Sequence, residues 1–202
     1  RQWPVTCKQV QFYNGGNAGV QEGQATTTGY MLFKRFNRSI SKTSPGVASQ
    51  NRPSIIFRLA DFYLIYAEVA NEVNPSDSRV LTYLNLVRER AGLPKVEILN
   101  PGIVGNKELQ RAAIQRERQI ELATEGQRYF DVRRWMIADK DGEGRQNGYA
   151  HGMNVRGTIN DTEEFNRVVE TEKIVFNRKM YLQPIPDHEM RKTQNLVQNP
   201  GW

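Results

Sequence analysis

The sequence has few of the residues that cross-link a fold or hold a metal. Its 202 residues contain one cysteine, Cys7, which excludes an internal disulfide, and two histidines, His151 and His188. So few soft ligands argue against a structural zinc site, and the acids show no calcium-loop spacing. We therefore expect no metal and no cofactor. A chain of this length can bury roughly 70% of the surface that its unfolded form exposes, so its core needs no such support.

Long apolar runs and solid basic blocks are also missing. No run approaches the roughly 18 to 20 apolar residues that a membrane-spanning helix needs. The net charge is +6, but the lysines and arginines are interleaved with acids, so a nucleic-acid partner is not expected. The opening "RQWPVTCKQV" has neither an initiator methionine nor an apolar signal region, so we interpret the chain as a fragment or a processed product.

Sequence motifs of common enzymes are absent too. The chain has no Gly-x-Ser-x-Gly elbow, no phosphate-binding Gly-Lys-Ser/Thr loop, no His-Glu-x-x-His and no dinucleotide fingerprint. Cys7 has no neighbouring base that would activate its thiol, so we interpret it as incidental. Nucleophilic catalysis therefore has little support.

Residues 54–136 show the hydrophobic periodicity of helices. From Ile55 the apolar residues cover nearly every side of a first helix, which predicts that this helix is largely buried. The "NPSD" turn leads into a second helix that ends at Gly92, and so short a turn predicts antiparallel packing. A third helix is predicted from near Asn106 to a stop at Gly126, and a fourth covers 128–136. The strongest apolar stripe of the first helix comprises Leu59, Phe62, Tyr63, Tyr66, Ala70 and Val73.

The flanking segments have a different character. Residues 1–53 form an irregular lead-in with short strands at most. Residues 137–202 begin with a polar loop, continue with a small hairpin of 153–159 and 167–176 or else a helix over 161–173, and end in an extended tail with one turn at "PDHEM". We therefore predict one mainly α domain over 1–202, with long irregular loops and little β.

The run "ERQIELATEGQRYFDVRRW", Glu117 to Trp135, is dense in charges and rings. Glu121 and Glu125 lie four residues apart, on one helix face, and a glycosidase needs two carboxyls roughly 5 to 10 Å apart. Arg118 and Arg128, however, each lie three residues from one of these acids. Arginine forks are the usual partners of buried carboxylates, which favours structural ion pairs. The catalytic pair stays open as an alternative.

A second pair of acids, Asp61 and Glu68, shares one face of the apolar first helix. Because an unpaired buried charge would cost several kcal/mol, both need partners. Arg58 lies one turn before Asp61, and the third and fourth helices offer further arginines. The predicted ion-pair network comprises Arg58, Asp61, Glu68, Arg118, Glu121, Glu125, Arg128, Arg133 and Arg134.

Ligand contacts are more plausible in the loops than in this network. Flat rings beside amides suit sugars, whose C–H faces stack on rings while their hydroxyls need hydrogen bonds. The candidate ligand-binding residues are Trp3, Tyr13, Asn14, Tyr149 and His151.

Five segments, in order, resemble the C-terminal portion of the SusD/RagB family: "RLADFYLIYAEVANE", "YLNLVRERAGLP", "IQRERQIELATEGQRYFDVRRW", "LQPIP" and "LVQNPGW". The resemblance covers about Ile55 to Trp202, and more loosely "TTGYMLFKRF". It implies a mainly α-helical fold built around tetratricopeptide-like helix pairs. It also implies a surface lipoprotein of the outer membrane that captures glycans, or in some members peptides, for a SusC-like TonB-dependent transporter without breaking a bond.

The resemblance transfers the scaffold and not a ligand site. It leaves the family's N-terminal half outside this chain, with the signal peptide and the lipidated cysteine, and Cys7 does not fit the role of that anchor. Ligand loops vary within the family. Three alternatives stay open: a peptide or other nutrient ligand, a glycoside hydrolase that uses Glu121 and Glu125, and a helical-repeat scaffold that binds only protein.

Overall fold

The computed structural model describes residues 11–16, 26, 28–30, 32, 34, 54–140, 148–157 and 167–202; for 148–150 and 167–172 it describes the backbone alone. The chain forms two compact units. One contains Arg1–Gln50 with Ala138–Trp202, and the other contains Asn51–Ile137. No helix in the described part of the chain is both long and apolar enough to cross a membrane.

The described residues of the unit Asn51–Ile137 form a short 3-10 helix, Pro101–Ile103, and five α-helices. The α-helices are α1 (Leu59–Val73), α2 (Ser78–Arg90), α3 (Val96–Leu99), α4 (Lys107–Glu121) and α5 (Gln127–Arg134). The side chain of Asp77 caps α2 by accepting from the backbone N–H of Arg79 at 2.9 Å, and Asn106 caps α4 by accepting from that of Leu109 at 3.2 Å. Such caps satisfy amide groups that have no partner within the helix. The prediction of a mainly α fold with a helical hairpin is confirmed.

A small apolar core joins α1, α2 and α4. Its fully buried members are Leu64, Ala67, Val80, Leu84, Val87 and Ile114. The ring of Tyr83 on α2 packs against Tyr63 and Tyr66 of α1, with centroids 5.4 and 4.6 Å apart. These contacts come from residues spaced three or four apart, as helical periodicity requires.

The prediction that α1 is largely buried is wrong, and so is most of its predicted stripe. Leu59, Phe62 and Val73 are exposed, whereas Leu64 and Ala67 are buried. Polar contacts account for the difference. Asp61 accepts a hydrogen bond from Arg118, and Asn71 donates one to the backbone carbonyl of Lys107, so the face that carries these polar residues turns towards α4.

The joint between α4 and α5 also differs from the prediction. The third predicted helix runs to Gly126, but α4 ends at Glu121, and Gly126 is the N-cap of α5 with φ +81°. A residue with a Cβ adopts this left-handed conformation only at a cost, so the glycine serves the start of α5. The short α3 was not predicted, because four residues give too little periodicity to detect.

The other unit contains the only strands that the structure describes. β1 (Gly148–Met153) pairs antiparallel with β2 (Arg167–Ile174), with a register shift between Tyr149 and His151. The second predicted strand is confirmed. The first, predicted over 153–159, is wrong except at Met153, because β1 ends there and its own two glycines weaken the sequence signal; 158 and 159 lie outside the described residues. A helix over 167–173 is excluded, and 161–166 lie outside the described residues.

Segments from the first 30 residues contact β1 and the turn that follows it. The backbone N–H of Asn14 donates to the backbone carbonyl of Gly157 at 2.9 Å. The backbone N–H of Met153 donates to the backbone carbonyl of Thr28 at 2.8 Å. Beside Thr28, Gly29 has φ +70°, and a Cβ there would lie 2.7 Å from that of Met153. In the C-terminal tail of this unit, the short helix α6 (Asp187–Met190) forms where one turn was predicted.

Candidate functional site

Arg118 of α4 is the centre of a buried ion-pair cluster. Its Nη1 donates to Oδ1 of Asp61 on α1 at 2.8 Å, and its Nε donates to Oδ2 of Asp131 on α5 at 2.9 Å. The three side chains are 2–4% exposed. One guanidinium therefore joins three helices, and each charge in the group has a partner.

Arg58, just before α1, makes a second group of contacts. Its Nε donates to Oε2 of Glu125 at 2.7 Å, and its Nη1 donates to Glu121. Glu121 also accepts from Nη2 of Arg90 at 2.5 Å. Burial opposes the charge of Arg58, but the hydrogen bonds to Glu125 and Glu121 outweigh it and raise the pKa of Arg58. Both acids of the alternative catalytic pair thus accept hydrogen bonds from arginine.

Arg134 of α5 links the first cluster to Glu68. It donates to Asp131 through Nε at 2.9 Å and to Oε2 of Glu68 through Nη2 at 2.7 Å. The indole N–H of Trp135 donates to the same carboxylate at 2.7 Å. Burial lowers the pKa of Arg134, but these carboxylates raise it overall. Arg118, Arg134 and Trp135 of this run therefore each donate to a carboxylate of α1.

The remaining two arginines of the predicted network contact aromatic rings. The guanidinium carbon of Arg133 lies 3.4 Å from the ring centroid of Tyr129, and that of Arg128 lies 5.8 Å from the ring of Trp135. Stacking of this kind keeps a guanidinium charged while it covers apolar surface. Both residues also make contacts beyond these.

The observed partners differ from those that sequence spacing suggested. Arg118 pairs with Asp61 and Asp131 rather than with Glu121 three residues away, and Arg58 pairs with Glu121 and Glu125 rather than with Asp61. Sequence reasoning missed Asp131 and Arg90. Asp131 lies three residues before Arg134 within the same charged run, and this spacing was the available signal.

The chemistry open to this cluster is limited. A general acid must carry a proton, whereas the carboxylates of Glu121 and Glu125 accept hydrogen bonds from permanently charged arginines. No group of three or more potential metal ligands occurs among the residues that the structure describes. The arrangement suits the joining of helices, not proton transfer.

The candidate sugar-contact residues lie in the unit with the strands. Tyr13, Asn14 and His151 are half-buried. The backbone of Asn14 bonds to Gly157, six residues beyond His151 on the segment that leaves β1. Tyr149 lies in β1, but only its backbone is described, and Trp3 lies outside the described residues. The backbone contact thus brings the segment of Tyr13 and Asn14 to the segment that follows β1.

A comparison with protein families identifies one that matches almost the whole chain. The model of the SusD family matches residues 4–202. The chain is 44% identical over 106 residues to SusD-like protein P25 of Formosa agariphila, which covers 52% of this chain and 19% of that protein. It is 31% identical over 153 residues to SusD-like protein P2 of the same species, which covers 73% of this chain and 26% of that protein.

Solved structures give the same result. BT4246 superimposes with a TM-score of 0.61 at 34% identity, over 76% of this chain and 24% of that one. A SusD-like protein, BF3747 from Bacteroides fragilis, gives a TM-score of 0.58 at 31% identity, over 74% of this chain and 26% of that one. The chain thus spans about a quarter of the length of these solved relatives.

Proposed function

The chain belongs to the SusD family, and from this membership we propose that it is part of a protein that binds a nutrient glycan at the cell surface without catalysis. The parent protein would be held on the outer membrane by a lipid anchor outside this chain. It would pass the glycan to a SusC-like TonB-dependent transporter. The observation that carries the proposal is the family match over residues 4–202.

The ion pairs support the non-catalytic part of the proposal. Glu121 and Glu125 are the chain's best candidates for a glycosidase pair, and arginines hold both. An acid–base pair that hydrolyses a glycoside needs one carboxylic acid that gives up its proton and one carboxylate that is open to water or to the sugar. Neither role fits a carboxylate in a structural ion pair.

Tyr13, Asn14, Tyr149 and His151 are the residues that we propose for sugar contact, together with Trp3. The main-chain bond of Asn14 to Gly157 supports this grouping, because it joins the segment of the first pair to the segment that follows β1, the strand in which the second pair lies. A sugar held here would stack on a ring and donate hydroxyl hydrogens to amide oxygens. Binding of this kind requires no change in a covalent bond.

The test is calorimetry of the parent protein against a panel of oligosaccharides. For a glycan that binds, Tyr13→Ala should weaken affinity roughly two- to twelvefold, as expected if a ring contact contributes about 0.5 to 1.5 kcal/mol. Tyr30→Ala is the control, because Tyr30 is an exposed tyrosine that is not among the proposed contacts. If no glycan binds while a peptide library does, the ligand is a peptide and the glycan proposal fails.

The glycosidase alternative requires turnover. We expect none from the wild-type protein, and we expect Glu121→Gln to lower stability because it removes the charge that pairs with Arg58 and Arg90. Turnover that Glu121→Gln abolishes, with fold and glycan affinity intact, would refute the binding-only proposal.

The scaffold alternative is tested with the transporter. Co-purification of the parent protein with its SusC-like transporter is expected both with and without glycan binding. A protein that binds the transporter but no nutrient of any class would be a scaffold instead.

A further inference from the structure

A cavity with a mixed apolar and polar lining lies among α2, α3 and the start of α4, entirely within the unit Asn51–Ile137. Its volume is about 450 Å³, within the roughly 300 to 1,000 Å³ that small-molecule sites occupy. The lining includes two side-chain amides and a carboxylate, those of Asn85, Gln110 and Glu97. None of these residues belongs to the ion-pair cluster or to the sugar-contact segments.

Gln110 of α4 lines this cavity and carries an unsatisfied acceptor. The residue is 1% exposed, and its Oε1 has no hydrogen-bond partner among the residues that the structure describes. Buried polar side-chain atoms nearly always have a partner, because an unpaired one pays the full cost of losing water. A ligand N–H or O–H group in the cavity would supply the missing donor when the Gln110 amide turns towards it.

Glu97 of α3 adds a carboxylate that Asn85 holds in place. The Nδ2 of Asn85 donates to both carboxylate oxygens of Glu97, at 3.1 and 2.8 Å. The Oδ1 of the same amide accepts from the backbone N–H of Val96 at 3.0 Å, so the amide is fixed from both ends. Asn85 itself is 4% exposed. The carboxylate therefore has a defined position before any ligand arrives.

The charge at the cavity is unbalanced at Glu97. Two other acids of the lining have cationic partners: Asp77 pairs with Arg79 at 2.6 Å, and Glu89 lies 3.8 Å from Lys95. Glu97 has no ion pair with any residue of the described ranges. A half-buried carboxylate without a counter-charge attracts a cation, and a single ammonium group fits that demand.

We propose that this cavity binds a small ligand that carries one ammonium group and a neighbouring hydroxyl or amide donor. The ammonium would bind Glu97, and the second donor would bind Oε1 of Gln110. An amino sugar and the amino terminus of a short peptide share this chemistry. The site shares no residue with the proposed glycan contacts at Tyr13 and His151, so either proposal can fail without the other.

The ligand chemistry is tested by nuclear magnetic resonance titration of the chain with glucosamine, N-acetylglucosamine and glycinamide. Glucosamine or glycinamide should shift the side-chain amide signals of Asn85 and Gln110. The acetylated sugar should bind about tenfold more weakly than glucosamine, the typical loss of a charged hydrogen bond. Stronger binding of glucosamine than of glycinamide identifies an amino sugar, and the reverse identifies a peptide amino terminus. If neither glucosamine nor glycinamide binds, the proposal is overturned. It is also overturned if N-acetylglucosamine binds as tightly as glucosamine.

Variants test the two residues. Glu97→Gln removes the charge and keeps an acceptor for Asn85, and Gln110→Leu removes the unsatisfied acceptor; each should lower the affinity at least about tenfold. Glu108→Gln is the matched control, because Glu108 lies on α4, pairs with Arg111 and does not line the cavity. Circular dichroism checks folding, and Gln110→Met replaces Gln110→Leu if the latter unfolds. Wild-type affinity in folded Glu97→Gln and Gln110 variants overturns the assignment.

Discussion

Arg118 shows at the residue scale how one side chain positions three helices. Its guanidinium pairs with Asp61 and Asp131 while all three side chains are almost completely buried. Removal of the arginine would leave the buried carboxylate of Asp61 without its ion-pair partner and would leave Asp131 with Arg134 alone. Such a loss exceeds the value of the pair itself, because desolvated charges remain behind.

We therefore predict that Arg118→Leu lowers the free energy of unfolding by about 3 to 5 kcal/mol, the typical cost of breaking a buried ion pair. Chemical denaturation measures it. Arg116→Leu is the control, because Arg116 is an exposed residue on the same helix, and it should change stability by no more than about 0.5 kcal/mol. A loss of similar size in both variants would show that the buried cluster has no special role.

Glu72 of α1 gives a pH-dependent prediction. Hydrogen bonds from Arg111, and to a smaller extent from Lys107, lower the pKa of Glu72 from 4.5 to about 2 against the opposing effect of burial. A lowered pKa in the folded state stabilises the protein above the unfolded-state pKa, and that contribution is lost as pH falls through the folded-state value. The contribution should therefore be complete above about pH 4.5 and should disappear towards pH 2.

The variant Glu72→Gln measures this contribution. Because 40% of the side chain is exposed, solvent screening limits the effect to about 0.2 to 1 kcal/mol at neutral pH. The difference in unfolding free energy between the variant and the wild type should shrink as the pH is lowered from 5 to about 2. A difference that stays constant over that interval would contradict the ion-pair explanation.

The joint between α4 and α5 carries a prediction at the scale of elements. Gly126 has φ +81°, and a Cβ there would meet nothing within 4 Å, so the cost of a side chain comes from the backbone alone. Gly126→Ala should lower the unfolding free energy by about 1 to 2 kcal/mol, the cost of an L-residue in the left-handed region. Thermal denaturation compares it with Gly102→Ala.

Gly102 is the matched control, since its φ lies outside the left-handed range and an added Cβ would lie in ordinary contact, 3.6 Å from Asn100 Oδ1. That substitution should cost nothing or stabilise slightly, because alanine restricts the unfolded chain. Equal losses in the two variants would mean that φ at Gly126 is not what limits the substitution.

Hydrophobic periodicity was sufficient to predict the longer helices but not their orientation. Periodicity located α1, α2 and α4, because their apolar residues recur at helical spacing. The rotation of α1 depends on which of its residues find partners on α4, and spacing along one helix carries no information about a neighbour. For the same reason, spacing predicted the members of the charged group more reliably than the partners of Arg58 and Arg118.

The candidate ligand residues were harder to evaluate from sequence than the scaffold. A ring beside an amide in a loop has no periodicity, and its value depends on what the fold places next to it. The main-chain bond between Asn14 and Gly157 joins residues far apart in the chain. The cavity at Glu97 and Gln110 likewise depends on α3, which is too short to detect by pattern.

For the whole molecule, the exposed face of α1 is the feature with the largest consequence for behaviour in solution. Its exposed apolar residues follow helical spacing: Leu59, Phe62, Ile65 with the adjacent Tyr66, Val69 and Val73. A contiguous exposed patch of this kind binds apolar dyes and favours self-association. We predict that the double variant Phe62→Gln, Val69→Gln lowers dye binding, measured by fluorescence, and self-association, measured by light scattering. The two substitutions interrupt the exposed apolar face of α1.

The same variant should leave folding stability nearly unchanged, within about 0.5 kcal/mol for each exposed site. Leu64→Ala is the contrasting substitution, because Leu64 lies on the opposite, fully buried face of α1. It should lower the unfolding free energy by about 2 to 5 kcal/mol, as expected for a truncated core leucine. If the double variant destabilises the chain as much as Leu64→Ala does, the face that we describe as exposed is part of the core, and the rotation assigned to α1 is wrong.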